Sequence, residues 1–146
     1  MKLGRAITID SGAADNVMPR RLVRGKFNKV RPSPGSKAGV HYVAANNARI
    51  PNEGESNFQF STDNVDKHSW VFQVAAVNKV LCAASYLVDN DMRVIFDRCD
   101  ITGVDTSHIL LKKTGETIKM KRERNVWTID AFVEEEDTLS SFHRQG

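Results

Sequence analysis

The amino-acid sequence predicts an all-β fold, a small barrel or sandwich. Short segments in which apolar and polar residues alternate recur along the chain, for example at Asn57–Ser61 and Ser69–Val77. Clusters of Gly, Pro and Asn separate these segments and predict turns. A length of 146 residues with 40% apolar residues suits one domain with a sizeable core.

The first half of the chain is predicted to consist of strands and turns. The first strand is expected at Ala6–Asp10 and runs into a turn. The segment Arg31–Gly39 holds two prolines and two glycines, so we predict a loop or hairpin tip and not a helix. In the strand Ser69–Val77 the side chains on one face are predicted to be Trp70, Phe72, Val74 and Ala76. Further strands are predicted at Val40–Ala44, Asn57–Ser61 and Val80–Leu81.

The second half of the chain continues the pattern. We expect a helical turn or short helix at Ala83–Asp89 and a strand at Arg93–Phe96. His108–Lys112 and Thr117–Lys121 flank a Thr-Gly-Glu turn and predict a hairpin. A last strand is predicted at Val126–Val133.

Several function classes are disfavoured by composition. No apolar run approaches the ~20 residues that span a bilayer, and no signal peptide is visible, so we expect an intracellular, cytoplasmic protein without a membrane partner. The four histidines lack the spacing of metal ligands, so no metal site is expected. The two cysteines are expected to be reduced thiols, Cys82 buried and Cys99 in a loop.

Charge is distributed unevenly along the chain. The net charge is +3, but residues 1–40 hold nine basic and two acidic residues, a local net charge of +7. A basic surface can bind nucleic acid. The main aromatic residues do not interleave with this charge and are expected in the core, so a solvated surface is favoured; these residues are Phe58, Phe60, Trp70 and Phe72.

The segment most informative about function is Ile7–Ala13, with the sequence Ile-Thr-Ile-Asp-Ser-Gly-Ala. It places the carboxylate of Asp10 at the end of an apolar strand, before a hydroxyl residue and a glycine that permits a sharp turn. From composition alone, about 0.08 Asp-[Ser/Thr]-Gly triplets are expected in a chain of this length. The structural alternative is a turn in which Asp10 only caps its own backbone.

This segment resembles the catalytic signature of the retropepsin-like aspartic proteases, which are encoded in retroelement (retrotransposon) polyproteins, in their copia-type form. Looser matches follow at Asp15–Pro19, Arg31–Val43, Trp70–Ser85, Arg93–Asp97 and Lys113–Glu116. Together they extend from about Ala6 to Phe132. Ala84 departs from the family pattern, because the family usually has glycine at the corresponding position.

The resemblance implies two further structures beside Asp10. One is a flap at about Val30–Ala44 with its tip near Gly35–Gly39, or alternatively at Val43–Gly54. The implied flap or substrate-binding residues are Pro34, Gly35, Gly39 and His41. The other is a second apolar loop formed by Leu81, Cys82, Ala83 and Ala84.

The implied activity is that of a hydrolase that cleaves peptide bonds with paired aspartates and no cofactor. Asp10 is the implied catalytic residue, supported by Ser11, Gly12 and Ala13. Neither Asp15 nor Asp130 is followed by a Ser/Thr-Gly turn, so one chain supplies one half of the pair. The resemblance therefore implies a homodimer with one Asp10 from each subunit, acting on a peptide or the element's own polyprotein.

The chain is longer than a minimal retropepsin subunit, which would end soon after Ala84–Leu87. We therefore expect one domain at 1–133, with a core at about 5–90 and a C-terminal β extension at about 91–133 that packs on the core or widens the dimer interface. Residues 134–146 are expected to form an acidic and polar tail. Two alternatives stay open: a catalytically inactive retropepsin-like domain, and a basic β-domain that binds nucleic acid.

Overall fold

The computed structural model describes residues 2–24, 28–44 and 46–134. It confirms the all-β class: within these ranges the only helices are α1 (Pro34–Lys37), α2 (Ala84–Asp89) and a 3-10 turn at Arg20–Leu22. The strands are β1 (Lys2–Asp10), β2 (Val17–Met18), β3 (His41–Val43), β4 (Arg49–Pro51), β5 (Gly54–Thr62), β6 (Val65–Val74), β7 (Val80–Ala83), β8 (Met92–Ile95), β9 (His108–Leu111), β10 (Thr117–Lys119), β11 (Lys121–Glu123) and β12 (Val126–Glu134).

Six strands close into a barrel in the order β1-β7-β2-β6-β5-β12, and β12 pairs back onto β1. The closing pair is antiparallel and runs from Lys2 opposite Glu134 to Ile9 opposite Trp127. On its other edge, β1 pairs with β7 in parallel. Each barrel strand therefore has a neighbour on both sides, although several of these pairs are short: β1 pairs with β7 only through Ile7–Asp10, and β6 pairs with β2 only through Gln73 and Val74.

Apolar side chains of these strands meet inside the barrel. Ile7, Phe58, Phe72 and Ile129 come from four different strands, and each is at most 1% exposed. Phe60 packs edge-to-face on Trp70, with ring centroids 4.9 Å apart. The alternation that predicted β5 and β6 is therefore the alternation between core and surface.

The C-terminal part of the chain belongs to the same core. Strands β8, β9 and β10 form an antiparallel sheet whose Ile109 and Ile118 are buried together with the barrel residues. The last strand, β12, is a barrel strand. The segment at 91–133 thus contributes both a covering sheet and the strand that closes the barrel, while residues 135–146 of the expected tail lie outside the described residues.

The prediction that Arg31–Gly39 contains no helix is wrong. Pro34–Lys37 forms the single-turn helix α1, which is begun by a capping box: the Ser33 hydroxyl accepts from the backbone N–H of Ser36, and the Ser36 hydroxyl accepts from that of Ser33. Pro34 suits the first helical position, where its missing N–H costs no hydrogen bond. Gly39, with φ of 73°, lies just past the end of the helix.

The boundaries of β6 also differ from the prediction. The strand begins at Val65, four residues before the predicted start at Ser69, and ends at Val74, three residues before the predicted end at Val77. Trp70, Phe72 and Val74 are buried as predicted, but Ala76 is exposed because the strand has already ended. The short helix α2, the β9–β10 hairpin, the strand β12 and the burial of Cys82 confirm the sequence predictions.

No helix in the described ranges is long and apolar enough to cross a membrane.

A core substitution in the closing strand tests the barrel. We expect Ile129→Ala to lower the free energy of unfolding by about 2–5 kcal/mol, because Ile129 is fully buried and the truncation leaves a cavity. Val43→Ala, at a side chain that is 64% exposed, should change it by less than about 0.5 kcal/mol. Urea denaturation measures both, and equal effects would contradict the placement of β12 in the core.

His68 makes stability depend on pH. It is buried, stacks on Phe60 and lies with Nε2 2.9 Å from the Thr62 hydroxyl, and burial lowers the pKa of His68 below its ordinary 6.5. The unfolded chain therefore takes up a proton more readily than the folded one, and the free energy of unfolding should fall as pH drops below about 6.5. Denaturation between pH 7.5 and 5 should show this slope reduced in His68→Gln and kept in the exposed-site control His41→Gln.

Candidate active site

Asp10 is the last residue of β1 and lies at one end of the barrel. Two strands hold β1 there: Asp10 is opposite Ala83 of β7, and Ile9 is opposite Trp127 of β12. The backbone that carries the carboxylate is therefore fixed on both edges, while the Asp10 residue stays partly exposed. A reactive group on a rigid element with access to solvent is what a catalytic site requires.

The turn after β1 binds one oxygen of the Asp10 carboxylate. The backbone N–H of Gly12 donates to Asp10 Oδ1 at 2.8 Å, and the N–H of Ala13 donates to the Asp10 carbonyl at 3.4 Å. Within the described part of the chain, the other carboxylate oxygen has no hydrogen-bond partner. This turn is the self-capping arrangement that the sequence left open, and it also leaves one oxygen free to bind water.

Gly12 packs closely against the carboxylate. A Cβ atom at this position would lie 3.3 Å from Asp10 Oδ1, tighter than ordinary van der Waals contact. Ser11 is exposed beside it, and Ala13 is half-buried. The structure thus places all three predicted support residues in the turn around Asp10.

Asn16 anchors the loop that follows this turn, and it was not identified from the sequence. Its side-chain N–H donates to the carbonyl of Val71 at 2.9 Å, and its side-chain oxygen accepts from the backbone N–H of Ala83 at 2.7 Å. Its own carbonyl accepts from the N–H of Gln73. Asn16 is 4% exposed, so one buried amide ties the loop to both β6 and β7. A single Asn after the motif does not belong to an alternating or helical pattern, so the sequence gives no sign of its role. That role is visible only from its hydrogen bonds to residues distant in the chain.

The predicted second apolar loop is the junction of β7 and α2. Cys82 and Ala83 are completely buried, and burial raises the pKa of the Cys82 thiol to about 12. Leu81 is half-buried on the same strand. Ala84, where the family has glycine, is the first residue of α2, and a helical backbone accepts alanine without strain.

The predicted flap residues are distributed over two elements. Pro34 and Gly35 belong to α1 and Gly39 follows it, so the segment near Gly35–Gly39 is not a hairpin tip. The hairpin is β3–β4, which begins at the exposed His41 and overlaps the alternative flap position, Val43–Gly54. The prolines and glycines of Arg31–Gly39 serve a capped helical turn instead, because Ser33 and Ser36 satisfy the backbone there.

A polar network connects this hairpin to the loop after Asp10. The Tyr42 hydroxyl donates to the Asp15 carboxylate at 3.3 Å, and the Asn52 side chain donates to Gln73 at 2.9 Å and to Tyr42 at 3.5 Å. Burial, and secondly the charge of Asp15, raise the pKa of Tyr42 to about 12, so the hydroxyl stays protonated as the donor. The hairpin is therefore tied at its base to the loop that Asn16 anchors.

A groove lies between this loop and α2. Its walls are formed by Asp15, Asn16, Val71, Gln73, Ser85 and Tyr86. The Tyr86 hydroxyl accepts from the backbone N–H of Val71 at 2.9 Å, which fixes one wall. The groove is open and bordered by polar groups, and Asp10 is not among the residues that line it.

Asp15 and Asp130, the other aspartates weighed as partners of Asp10, both have partners of their own. Asp15 is bound by Tyr42. Asp130 pairs with Lys121 and lies opposite Ala6, four residues back along β1, which puts it roughly 13 Å from Asp10 along the strand. Among the described residues no group of three or more His, Cys, Asp and Glu side chains is arranged to hold a metal ion.

No protein-family model, no curated protein and no solved structure matches the chain.

Removal of the Asn16 amide tests the anchoring of the site. Asn16→Ala leaves the buried N–H of Ala83 and the part-buried carbonyl of Val71 without this partner, so we expect the free energy of unfolding to fall by about 2–4 kcal/mol. The control Asn90→Ala removes an exposed amide bond to the Tyr86 carbonyl and should cost less than about 1 kcal/mol. Urea denaturation of both variants measures the difference, and similar losses would refute the anchoring role.

Proposed function

We propose that this chain is one subunit of a homodimeric aspartic endopeptidase of the retropepsin-like type, which cleaves peptide bonds in a retroelement polyprotein. The observation that carries the proposal is the placement of Asp10. Its carboxylate ends a barrel strand, is held on one oxygen by the N–H of Gly12, and keeps the other oxygen free among the described residues.

The proposed chemistry needs a second Asp10 because each barrel supplies one such carboxylate. Two carboxyl groups in contact share a proton, since both cannot be ionised at that distance. The ionised Asp10 takes a proton from a bound water, and the protonated Asp10 of the other subunit donates a hydrogen bond to the scissile carbonyl. Water adds to the carbonyl carbon, and the tetrahedral intermediate collapses with proton transfer to the leaving amine.

The β3–β4 hairpin is the proposed flap. It is a two-stranded element connected to the site through Tyr42 and Asp15, and its exposed residues include His41 and Val43. A hairpin tied at its base can close over a peptide while its tip moves, and closure excludes water from the reacting bond. Side chains of an extended peptide point alternately in opposite directions, so every second side chain of a bound peptide would point toward the ends of the barrels.

Asp10→Asn tests the catalytic assignment. We expect kcat/KM for peptide cleavage at mildly acidic pH to fall at least about 1,000-fold, because an amide cannot act as the base. The control Asp66→Asn, at an exposed position of β6, should keep wild-type activity. If the wild-type dimer cleaves nothing in a broad peptide library, the result supports the catalytically inactive alternative. If it also binds RNA with an affinity that falls as salt is added, the result supports the alternative of a basic domain that binds nucleic acid.

Mixing wild-type and Asp10→Asn subunits tests the shared site. If each active centre uses Asp10 from both chains, every mixed dimer is inactive, and activity should fall with the square of the wild-type fraction after subunit exchange. A linear decrease would show that one chain contains a complete site.

A further inference from the structure

The loop 96–106, between β8 and β9, exposes several apolar side chains. Ile101 is 94% exposed, Val104 is 60% exposed and Phe96 is 42% exposed. Val126, at the start of β12, is 42% exposed as well. Clustered apolar side chains on a surface usually mark an interaction site.

Hydrogen bonds hold the loop 96–106 in one shape. The N–H of Cys99 donates to the Val104 carbonyl and the N–H of Gly103 to the Cys99 carbonyl, both at 2.8 Å. At its base, the buried Ser107 hydroxyl accepts from the N–H of Asp97. Ile101 is therefore exposed at the tip of an ordered turn. Because the loop is already ordered, it loses little conformational entropy when a partner binds.

This loop lies at the end of the barrel that carries Asp10. The Phe96 ring contacts that of Trp127 with centroids 4.8 Å apart, and Trp127 Nε1 donates to the Asp105 carboxylate at 3.0 Å. Trp127 is the register partner of Ile9, the residue before Asp10. Paired strands are about 5 Å apart, so the Trp127 backbone is within about 10 Å of Asp10.

We propose that the surface formed by Phe96, Ile101, Val104, Val126 and Trp127, the loop surface, binds a second copy of this chain. The inference rests on the proposed function and extends it, since it assigns part of the subunit interface to the C-terminal segment. A two-fold axis that brings two Asp10 carboxyls into contact passes beside this end of β1. In such a dimer the loop surface would lie beside that axis, where the partner subunit can contact it.

Charge on the loop surface also suits self-association. The loop 96–106 carries Asp97, Asp100 and Asp105 against one arginine, Arg98. The turn between β11 and β12 carries Arg124, two residues before Val126. In a two-fold interface the acidic loop of one subunit can face this basic turn of the other, which favours docking of like chains in one orientation.

Substitutions at the loop tip test whether this surface forms the dimer, because they change neither the core nor the residues around Asp10. Ile101→Asp and Val104→Asp each put a charge into the interface and should raise the dimer dissociation constant at least about tenfold, measured by analytical ultracentrifugation. The matched control Thr114→Asp adds the same charge at an exposed turn at the far end of the β8–β10 sheet and should leave the constant unchanged within about twofold. Unfolding curves show whether each variant is folded.

Activity distinguishes weaker association from a damaged site. Peptide cleavage by Ile101→Asp should be reduced at low enzyme concentration and should approach the wild-type rate per active dimer at high concentration. A higher KM with an unchanged dissociation constant would mean that the surface binds substrate, and it would overturn the inference.

Failure of this inference and failure of the proposed function give different results. A wild-type dimer that cleaves peptides through Asp10, but dissociates no more readily with either loop variant, overturns the inference alone. A dimer that the loop variants weaken, but that cleaves no peptide, supports the inference and overturns the proposed activity. A wild-type chain that is monomeric at every concentration overturns both.

Discussion

The position of β1 between β7 and β12 is the constraint on which the barrel and the candidate site both depend. Its antiparallel pairing with β12 closes the barrel and its parallel pairing with β7 continues it. Because both edges are paired, the end of β1 cannot shift by one residue without moving Ile7 and Ile9 out of the core. That register fixes where Asp10 leaves the barrel, and it places Trp127 beside it.

Two side-chain amides then organise the surroundings of Asp10. Asn16 joins the loop after the turn to β6 and β7, and Asn52 joins the β3–β4 hairpin to Gln73 and Tyr42. Both amides are at most 8% exposed, so their hydrogen bonds form away from competing water and losing one leaves buried groups unpaired. The site is thus supported by polar contacts, whereas the barrel is supported by apolar packing.

The C-terminal segment, residues 91–133, is part of the barrel itself. A barrel made from the first 90 residues alone would lack β12 and would leave edges of β1 and β5 unpaired. The same segment brings Phe96 and Asp105 against Trp127, at the end of the barrel where Asp10 lies. The same C-terminal segment therefore supplies both the strand β12 that closes the barrel and the loop that we propose contacts the second subunit.

The sequence by itself determined the elements whose signal is local. Alternation predicted β5 and β6 with their buried aromatic rings, and the Asp-Ser-Gly triplet predicted the strand end and turn at Asp10, because both depend on neighbouring residues. Only the tertiary structure decided that β12 closes the barrel, that the β3–β4 hairpin and not Arg31–Gly39 is the hairpin beside the site, and that Asn16 anchors the loop. These features depend on partners 55 to 132 residues away or on competition between a capped helical turn and a hairpin, and no local period encodes such pairings.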